Sequence, residues 1–206
     1  QSTQWGWQGR LICASRQVDF DFTLNMPGEH NLRNAMAATA AALAAGVAST
    51  SVARGLAAFV PVAGRSHAQD LWLGKRRITL VDDTYNANPD SVRAAIDVLA
   101  QLPGPHLLVL GDMGEVGTQG PEFHAEVGRY AQERGIEYVL THGKLSEITT
   151  QSHSQAQHFD QIEALCAGVD RMCPKIESVL VKGSRFMRME RVVRHLTDSH
   201  REAATC

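Results

Sequence analysis

The sequence predicts an α/β chain built mainly around a Rossmann-like, doubly wound, mostly parallel sheet, and three observations carry that expectation. From Ile78 onward, short apolar runs alternate with amphipathic stretches. The runs are Ile78 to Val81, Leu107 to Leu110, Ile136 to Leu140 and Ser178 to Val181. Each run is apolar along most of its length, as expected of strands covered by helices on both faces. Three of them end in polar clusters, Asp82 to Asn88, Gly111 to Glu115 and Lys182 to Arg185. Parallel strands would bring those clusters to one rim, where ligands of such sheets bind.

The elements follow in order. Val18, Phe20, Phe22 and Leu24 alternate with polar residues, the period of a half-buried strand, and Gly9 to Ala14 is the expected antiparallel partner across Ser15-Arg16-Gln17. A helix follows Pro27-Gly28, with Leu32, Met36 and Leu43 on its apolar side and Gly46 as its stop. Val52, Leu56 and Phe59, at i, i+4 and i+7, mark a short second helix, and Pro61 to Gly64 read as a linker. The doubly wound domain is expected from about Arg65 to Leu196. Within it, Asn88-Pro89-Asp90 opens a helix with a capping amide, a proline at the first helical position and an acid in the first turn. Val92, Ile96 and Leu99 form its core face. Later helices carry Phe123, Val127 and Tyr130, then Ile162, Leu165, Val169 and Met172 behind a capping Asp160. The last carries Phe186, Met189, Val193 and Leu196 behind a capping Ser184. A short helix around Leu145 and a minor strand at Ala156 to Phe159 complete the pattern.

Composition excludes several classes. The 206 residues are 44% hydrophobic and 20% charged with a net charge of −2, which fits neither a disordered tail nor a basic nucleic-acid-binding arm. Aromatic residues are 6%, too few for a base-stacking platform. The apolar stretch Ala35 to Ala45 is broken by Thr39 and is too short to span a bilayer. Cys13, Cys166, Cys173 and Cys206 match no metal-ligand spacing and read as reduced thiols, and histidines such as His153, His158, His195 and His200 read as surface residues. The chain starts at Gln1 in mid-domain, which reads as a fragment.

The motifs narrow the chemistry. Gly111, Gly114 and Gly117 are spaced G-x-x-G-x-x-G, without the tight first G-x-G of a dinucleotide site. The sequence contains no G-x-x-x-x-G-K-[ST] phosphate loop and no G-x-S-x-G nucleophile turn. What remains are acids, amides and basic groups. One carboxylate of Asp82-Asp83 could accept hydrogen bonds from two vicinal hydroxyls, or the acid could cap a helix or brace the loop. Asn31 and Asn34 could read a base edge, or simply cap a helix. Lys182, Ser184 and Arg185 stand where a helix N-terminus would favour an anion, although an ordinary cap at Ser184 explains part of that.

Taken together these segments resemble the Mur ligases. Gly28-Glu29-His30-Asn31-Leu32-Arg33-Asn34-Ala35-Met36-Ala37-Ala38 is similar to the family's G-x-H-N-x-x-N-x-x-A-A segment. Gly64-Arg65, Asp82-Asp83-Thr84-Tyr85-Asn86-Ala87-Asn88-Pro89, Gly111-Asp112-Met113-Gly114-Glu115 and Lys182-Gly183-Ser184-Arg185 then follow in family order. The second and third of these resemble the members that add D-alanyl-D-alanine to UDP-N-acetylmuramoyl-tripeptide. The resemblance implies an ATP-dependent amide ligase of cytoplasmic peptidoglycan synthesis, monomeric, working through an acyl phosphate with Mg²⁺, and without nucleic-acid or membrane partners. It implies that residues 1–63 end a central ATPase α/β domain and that 64–206 form the C-terminal Rossmann-like domain. Asn31 and Asn34 would lie at the adenine, Arg65 at the ATP phosphates, Asp83 at the ribose, and Tyr85 and Asn88 beside the nucleotide. Asp112, Glu115, Lys182, Ser184 and Arg185 would face the substrate. The family's phosphate loop, metal ligands and catalytic groups would precede Gln1, so no metal ligand is expected here and the chain alone is expected to be inactive. Two rivals stay open at this stage: another Mur or folylpolyglutamate-type ligase, and a non-catalytic nucleotide-binding module.

Overall fold

The computed structural model describes residues 2–3, 6–14 and 18–201. The chain divides into two units, Gln1–Val62 and Ala63–Cys206. The first unit holds a three-stranded antiparallel sheet, β1 (Ser2–Thr3), β2 (Gly6–Cys13) and β3 (Val18–Leu24), in that order. The register sets Leu11 opposite Phe20 and Trp7 opposite Leu24, so the alternation expected of β3 is matched across the pair. The turn expected at Ser15-Arg16-Gln17 lies outside the described residues. Two helices follow, α1 (Glu29–Ala44) and α2 (Ser49–Ala57). Gly28 takes φ +92 at the entry to α1, and its carbonyl accepts from Trp7 Nε1 at 3.2 Å. α2 lies on β3 and buries Val52, whereas Phe59 falls beyond the helix end and is exposed.

The second unit is a six-stranded sheet with helices on both faces. Its strands are β4 (His67–Leu73), β5 (Arg76–Asp83), β6 (His106–Gly111), β7 (Tyr138–His142), β8 (Ala156–Phe159) and β9 (Ser178–Lys182). They lie in the order β4-β5-β9-β6-β7-β8, parallel throughout except for β4. The antiparallel strand β4 is an addition to the sequence reading. Its face is mostly polar, with Leu71 its buried residue, so its period is weak.

Alternate residues of each parallel strand serve opposite faces. Leu108, Leu110, Val139 and Leu180 pack under α3 (Pro89–Leu99) and α4 (Gly120–Glu133). Leu107, Val109, Val179 and Val181 pack under α6 (Ile162–Met172) and α7 (Glu190–Arg201). A short α5 (Glu147–Thr150) lies against α4. Burying one such side chain contributes about 1.5–3 kcal/mol, and these strands are buried along nearly their whole length. β5 and β6 therefore hand the chain to helices on one face while β9, between them, hands it to α7 on the other. In sheets of this kind ligands bind at such a reversal, outside the carboxyl ends of the strands.

Two helix starts differ from expectation. Gln161, not Asp160, occupies the cap of α6 and makes no side-chain cap bond. Ser184 does not cap the last helix: a 3₁₀ turn at Arg185–Met187 and a left-handed Arg188 (φ +51) intervene before α7. That detour shifts the register, so Met189, Val193 and Leu196 point inward while Phe186 is 66% exposed. The cap of α3 is as expected. Asn88 Oδ1 accepts from Ser91 N at 2.8 Å and Ser91 Oγ accepts from Asn88 N at 3.0 Å.

Candidate functional site

The strand register brings the three polar clusters to one rim. Asp83 pairs with Lys182, Lys182 with Leu110, and Gly111 with His142. The non-glycine residues with positive φ among those described, Ser66, Glu115 and Arg188, all stand in loops at this edge. Such backbone costs about 1–3 kcal/mol per residue and persists only where its surroundings enforce it.

The two aspartates divide their work. Asp82 is buried and braces the loop: its Oδ2 accepts from Gly64 N at 3.0 Å, and its Oδ1 accepts from Thr84 N and Thr84 Oγ1 at 3.2 and 2.7 Å. Gly64 (φ +80) is pinned further by its carbonyl, which accepts from Tyr85 N at 2.9 Å. A Cβ at Gly64 would stand 3.0 Å from Tyr85 N, on top of the unfavourable φ. This pinning sets Arg65 over the Tyr85 ring, 4.0 Å from its centroid, with both side chains exposed.

Asp83 turns toward the centre of the rim. Its Oδ1 accepts from Ser66 N at 2.9 Å and Ser66 Oγ at 3.2 Å, and its Oδ2 accepts from the Lys182 ammonium. Lys182 is itself buried and donates also to the Asn86 carbonyl at 2.9 Å. A carboxylate has about four acceptor positions, and three are taken. Asp83 thus has room for one more donor as it stands, rather than for the two vicinal hydroxyls its type suggested.

The other strand ends are cross-linked as tightly. Ser184 N donates to the Asp112 carbonyl at 2.9 Å, and Ser184 Oγ donates to the Ala87 carbonyl at 3.1 Å while accepting from Gly114 N. Gly114 permits this approach, since a Cβ there would lie 3.0 Å from Ser184 Oγ. Asp112 Oδ1 accepts from Leu145 N and Ser146 N at 3.0 and 2.7 Å. The anion corner expected at a helix N-terminus is replaced by the 3₁₀ turn, with Lys182 committed to Asp83. Arg185 is 67% exposed, with Glu190 3.6 Å from its guanidinium. Glu115 is exposed, as is Asn88. The rim therefore gathers Arg65, Asp83, Tyr85, Asn88, Asp112, Glu115, Lys182, Ser184 and Arg185. Asn31 and Asn34 belong to the first unit, on the opening turns of α1. Asn31 Nδ2 donates to the Pro27 carbonyl at 2.7 Å, and Asn34 is exposed.

Two buried histidines escaped the sequence reading, which placed most of the histidines at the surface. His124 lies on the inward face of α4, where its spacing with Val127 and Ala131 was the available signal. Met113 N donates to its Nε2 at 3.1 Å, so the ring proton is on Nδ1 and is donated to the Gly120 carbonyl at 2.7 Å. His153 mirrors it: Gln155 N donates to Nδ1 at 3.2 Å, and Nε2–H donates to the Ile136 carbonyl at 2.8 Å. Burial holds both imidazoles below the ordinary histidine pKa of 6.5, against the smaller opposing effect of their carbonyl partners. The unfolded chain takes up these protons around pH 6.5 and the folded chain resists them. Stability is therefore full above that pH and falls below it, by at most about 1.4 kcal/mol per pH unit for each histidine, until the folded-state pKa is reached. Denaturant midpoints at about pH 7.5 and about pH 5.5 measure this, with the acid midpoint expected lower.

Among the described residues, no group of three His, Cys, Asp or Glu side chains is arranged to hold a metal ion, and no helix is long and apolar enough to cross a membrane. Cys166 and Cys173 are buried, and burial pushes the Cys173 thiol up to about 11, which makes it a poor nucleophile at neutral pH. Cys206 lies outside the described residues.

Comparison with known proteins bears on this rim. The family model described as "Mur ligase, glutamate ligase domain" matches residues 70–185, more than half of the chain and all three polar strand ends. The UDP-N-acetylmuramoyl-tripeptide--D-alanyl-D-alanine ligase of Escherichia coli (strain K12) is 38% identical over 181 residues, covering 87% of this chain and 39% of that protein. A crystal structure of MurF from Acinetobacter baumannii superposes with a TM-score of 0.83 at 30% identity, over 96% of this chain and 43% of that one. The MurF ligase of Thermotoga maritima, solved in complex with ADP, has a TM-score of 0.80 at 24% identity, over 97% of this chain and 45% of that one, a likeness of fold. This chain thus spans about two fifths of the length of the curated relative. The family model covers more than half of the chain, and the chain belongs to the Mur ligase family.

Proposed function

We propose that this chain is the C-terminal part of an ATP-dependent ligase that joins D-alanyl-D-alanine to UDP-N-acetylmuramoyl-tripeptide in cytoplasmic peptidoglycan-precursor synthesis, acting as a monomer. The observation that carries the reading is the 38% identity, over 87% of this chain, to a relative of that name. In the reaction, the tripeptide carboxylate takes the γ-phosphoryl group of ATP, releasing ADP. The dipeptide amine then attacks the acyl phosphate and expels phosphate as the amide forms. Mg²⁺ would neutralise the phosphoryl charge from ligands outside this chain.

The residues divide into two groups in this reading. The first unit offers Asn31 and Asn34, whose amides suit the donor and acceptor pattern of adenine. On the rim of the second unit, Arg65 takes the phosphates, Asp83 takes one ribose hydroxyl with its remaining acceptor position, and Tyr85 and Asn88 flank the nucleotide. Asp112, Glu115, Lys182, Ser184 and Arg185 form the substrate side. Arg185 is the exposed guanidinium there, suited to bind the dipeptide carboxylate through two hydrogen bonds. Lys182, Asp112 and Ser184 act by holding the loops that carry the others.

The full-length enzyme tests this. ADP release should require D-alanyl-D-alanine and should fail with single amino acids; equal rates with a single amino acid overturn the assigned specificity. Because Arg65 is exposed and stacks on the equally exposed Tyr85, Arg65→Ala should leave the melting temperature unchanged. It should raise the KM for ATP by about tenfold, the scale of one charge-assisted hydrogen bond. An unchanged KM removes Arg65 from the nucleotide site.

A further inference from the structure

His124 has no part in the roles above, yet its ring lies fully buried beneath the rim. A leucine would fill such a place on the α4 core face at less cost, since a buried imidazole is unfavourable unless both nitrogens are paired. Both are paired, and to different things. Nδ1–H donates to the Gly120 carbonyl in the first turn of its own helix, whereas Nε2 reaches back eleven residues to accept from the Met113 amide. Met113 is the buried centre of the Gly111–Glu115 loop. The next residue, Gly114, donates to Ser184 and so joins this loop to the one after β9, and Glu115 then stands exposed at φ +57. A left-handed glutamate needs its neighbours held. The Ser184 hydroxyl holds the Gly114 amide, and the imidazole holds that of Met113.

We propose that His124, as its Nδ1–H tautomer, is a positioning residue for the amine-substrate side of the site: by fixing the Met113 amide it presents Glu115 and the Gly114–Ser184 link to the incoming dipeptide. This rests on the ligase reading and on the substrate side being the Asp112–Glu115 loop. The nucleotide side, with Arg65, Asp83 and Tyr85, is anchored separately through Asp82 and Ser66, so its binding should not depend on His124.

Two near-isosteres separate the two bonds. In His124→Gln the side-chain oxygen can occupy the place of Nε2 and keep the Met113 bond. In His124→Asn the amide nitrogen can keep the Gly120 bond while Met113 loses its acceptor. In the full-length enzyme, His124→Asn should raise the KM for D-alanyl-D-alanine by about tenfold, the scale of one buried hydrogen bond, with the KM for ATP unchanged. His124→Gln should stay within about twofold. Equal effects of the two variants, or KM values for both substrates moving together, would show a purely structural role and overturn the proposal. Should either variant fail to fold, the ring nitrogen shifts of His124 in the wild-type enzyme decide, and an Nε2–H tautomer overturns it. If the wild-type enzyme does not turn over D-alanyl-D-alanine, the ligase reading has failed. Amide exchange at Met113, faster in His124→Asn than in His124→Gln, then still judges the anchor, and equal exchange rejects it.

Discussion

Lys182→Met is expected to destabilise the second unit by about 3 kcal/mol, because it strips the counter-ion from a buried carboxylate. The Lys182 and Asp83 side chains are 3% and 14% exposed, so water cannot replace the lost ammonium well. Removing one partner of such a pair typically costs about 3–5 kcal/mol. The lower end applies here, since Asp83 keeps the two donors of Ser66. The Asn86 carbonyl would lose a donor as well. Adding Asp83→Asn to the same chain should recover most of the loss, because the uncompensated charge is gone while Ser66 keeps its acceptor. Urea unfolding of the single and double variants measures this. A double variant no more stable than Lys182→Met would show that the pair's charges are not what holds the rim.

Asp112→Ala is expected to cost a similar amount for a different reason. One carboxylate oxygen accepts two amides, those of Leu145 and Ser146, and Ser146 is fully buried. Hydrogen bonds to a charged acceptor contribute about 1.5–3 kcal/mol each, so losing both should remove about 3–6 kcal/mol. Asp112→Asn keeps an acceptor oxygen in place and should cost about 1 kcal/mol or less. Thermal melts separate the two. Equal losses for alanine and asparagine would mean that the charge itself, rather than the acceptor, holds the loop before α5. Gly143 belongs to the same constraint: it takes φ +120, and a Cβ there would lie 2.4 Å from Asp112 Oδ1.

The parts of the fold legible in the sequence were those with strong local signals. Leu107 to Leu110 and Val179 to Val181 are apolar on both faces because both faces are covered, and Asn88-Pro89 starts α3 through a cap that needs only neighbouring residues. β4 was illegible because His67–Leu73 lies at an edge, with Trp72 exposed and Leu71 its buried residue. Ser184 misled because a serine before a helical pattern is ordinarily a cap, whereas here its hydroxyl joins two loops distant in sequence. The rim was legible as residue types at strand ends. How its atoms are spent was not: that Asp82 braces, Asp83 pairs with Lys182, and Asp112 holds Leu145 and Ser146 depends on contacts the chain makes far from itself. His124 was missed for the same reason, since a histidine on an apolar stripe shows its purpose only when its partners are placed.

The position of β9 has a consequence for how the second unit comes into being. It is the last in sequence of the strands described in this unit and yet it lies inside the sheet, with Lys182 meeting Asp83 across 99 residues of chain. Until residues 178–182 emerge, the β4–β5 hairpin and the β6–β7–β8 group each offer a bare edge toward the missing strand. Such long-range closure is slow, and the half-sheets are exposed to mispairing while they wait. A chain halted before Ser178 therefore carries two half-sheets with bare edges, and the rim first exists when β9 slides into place.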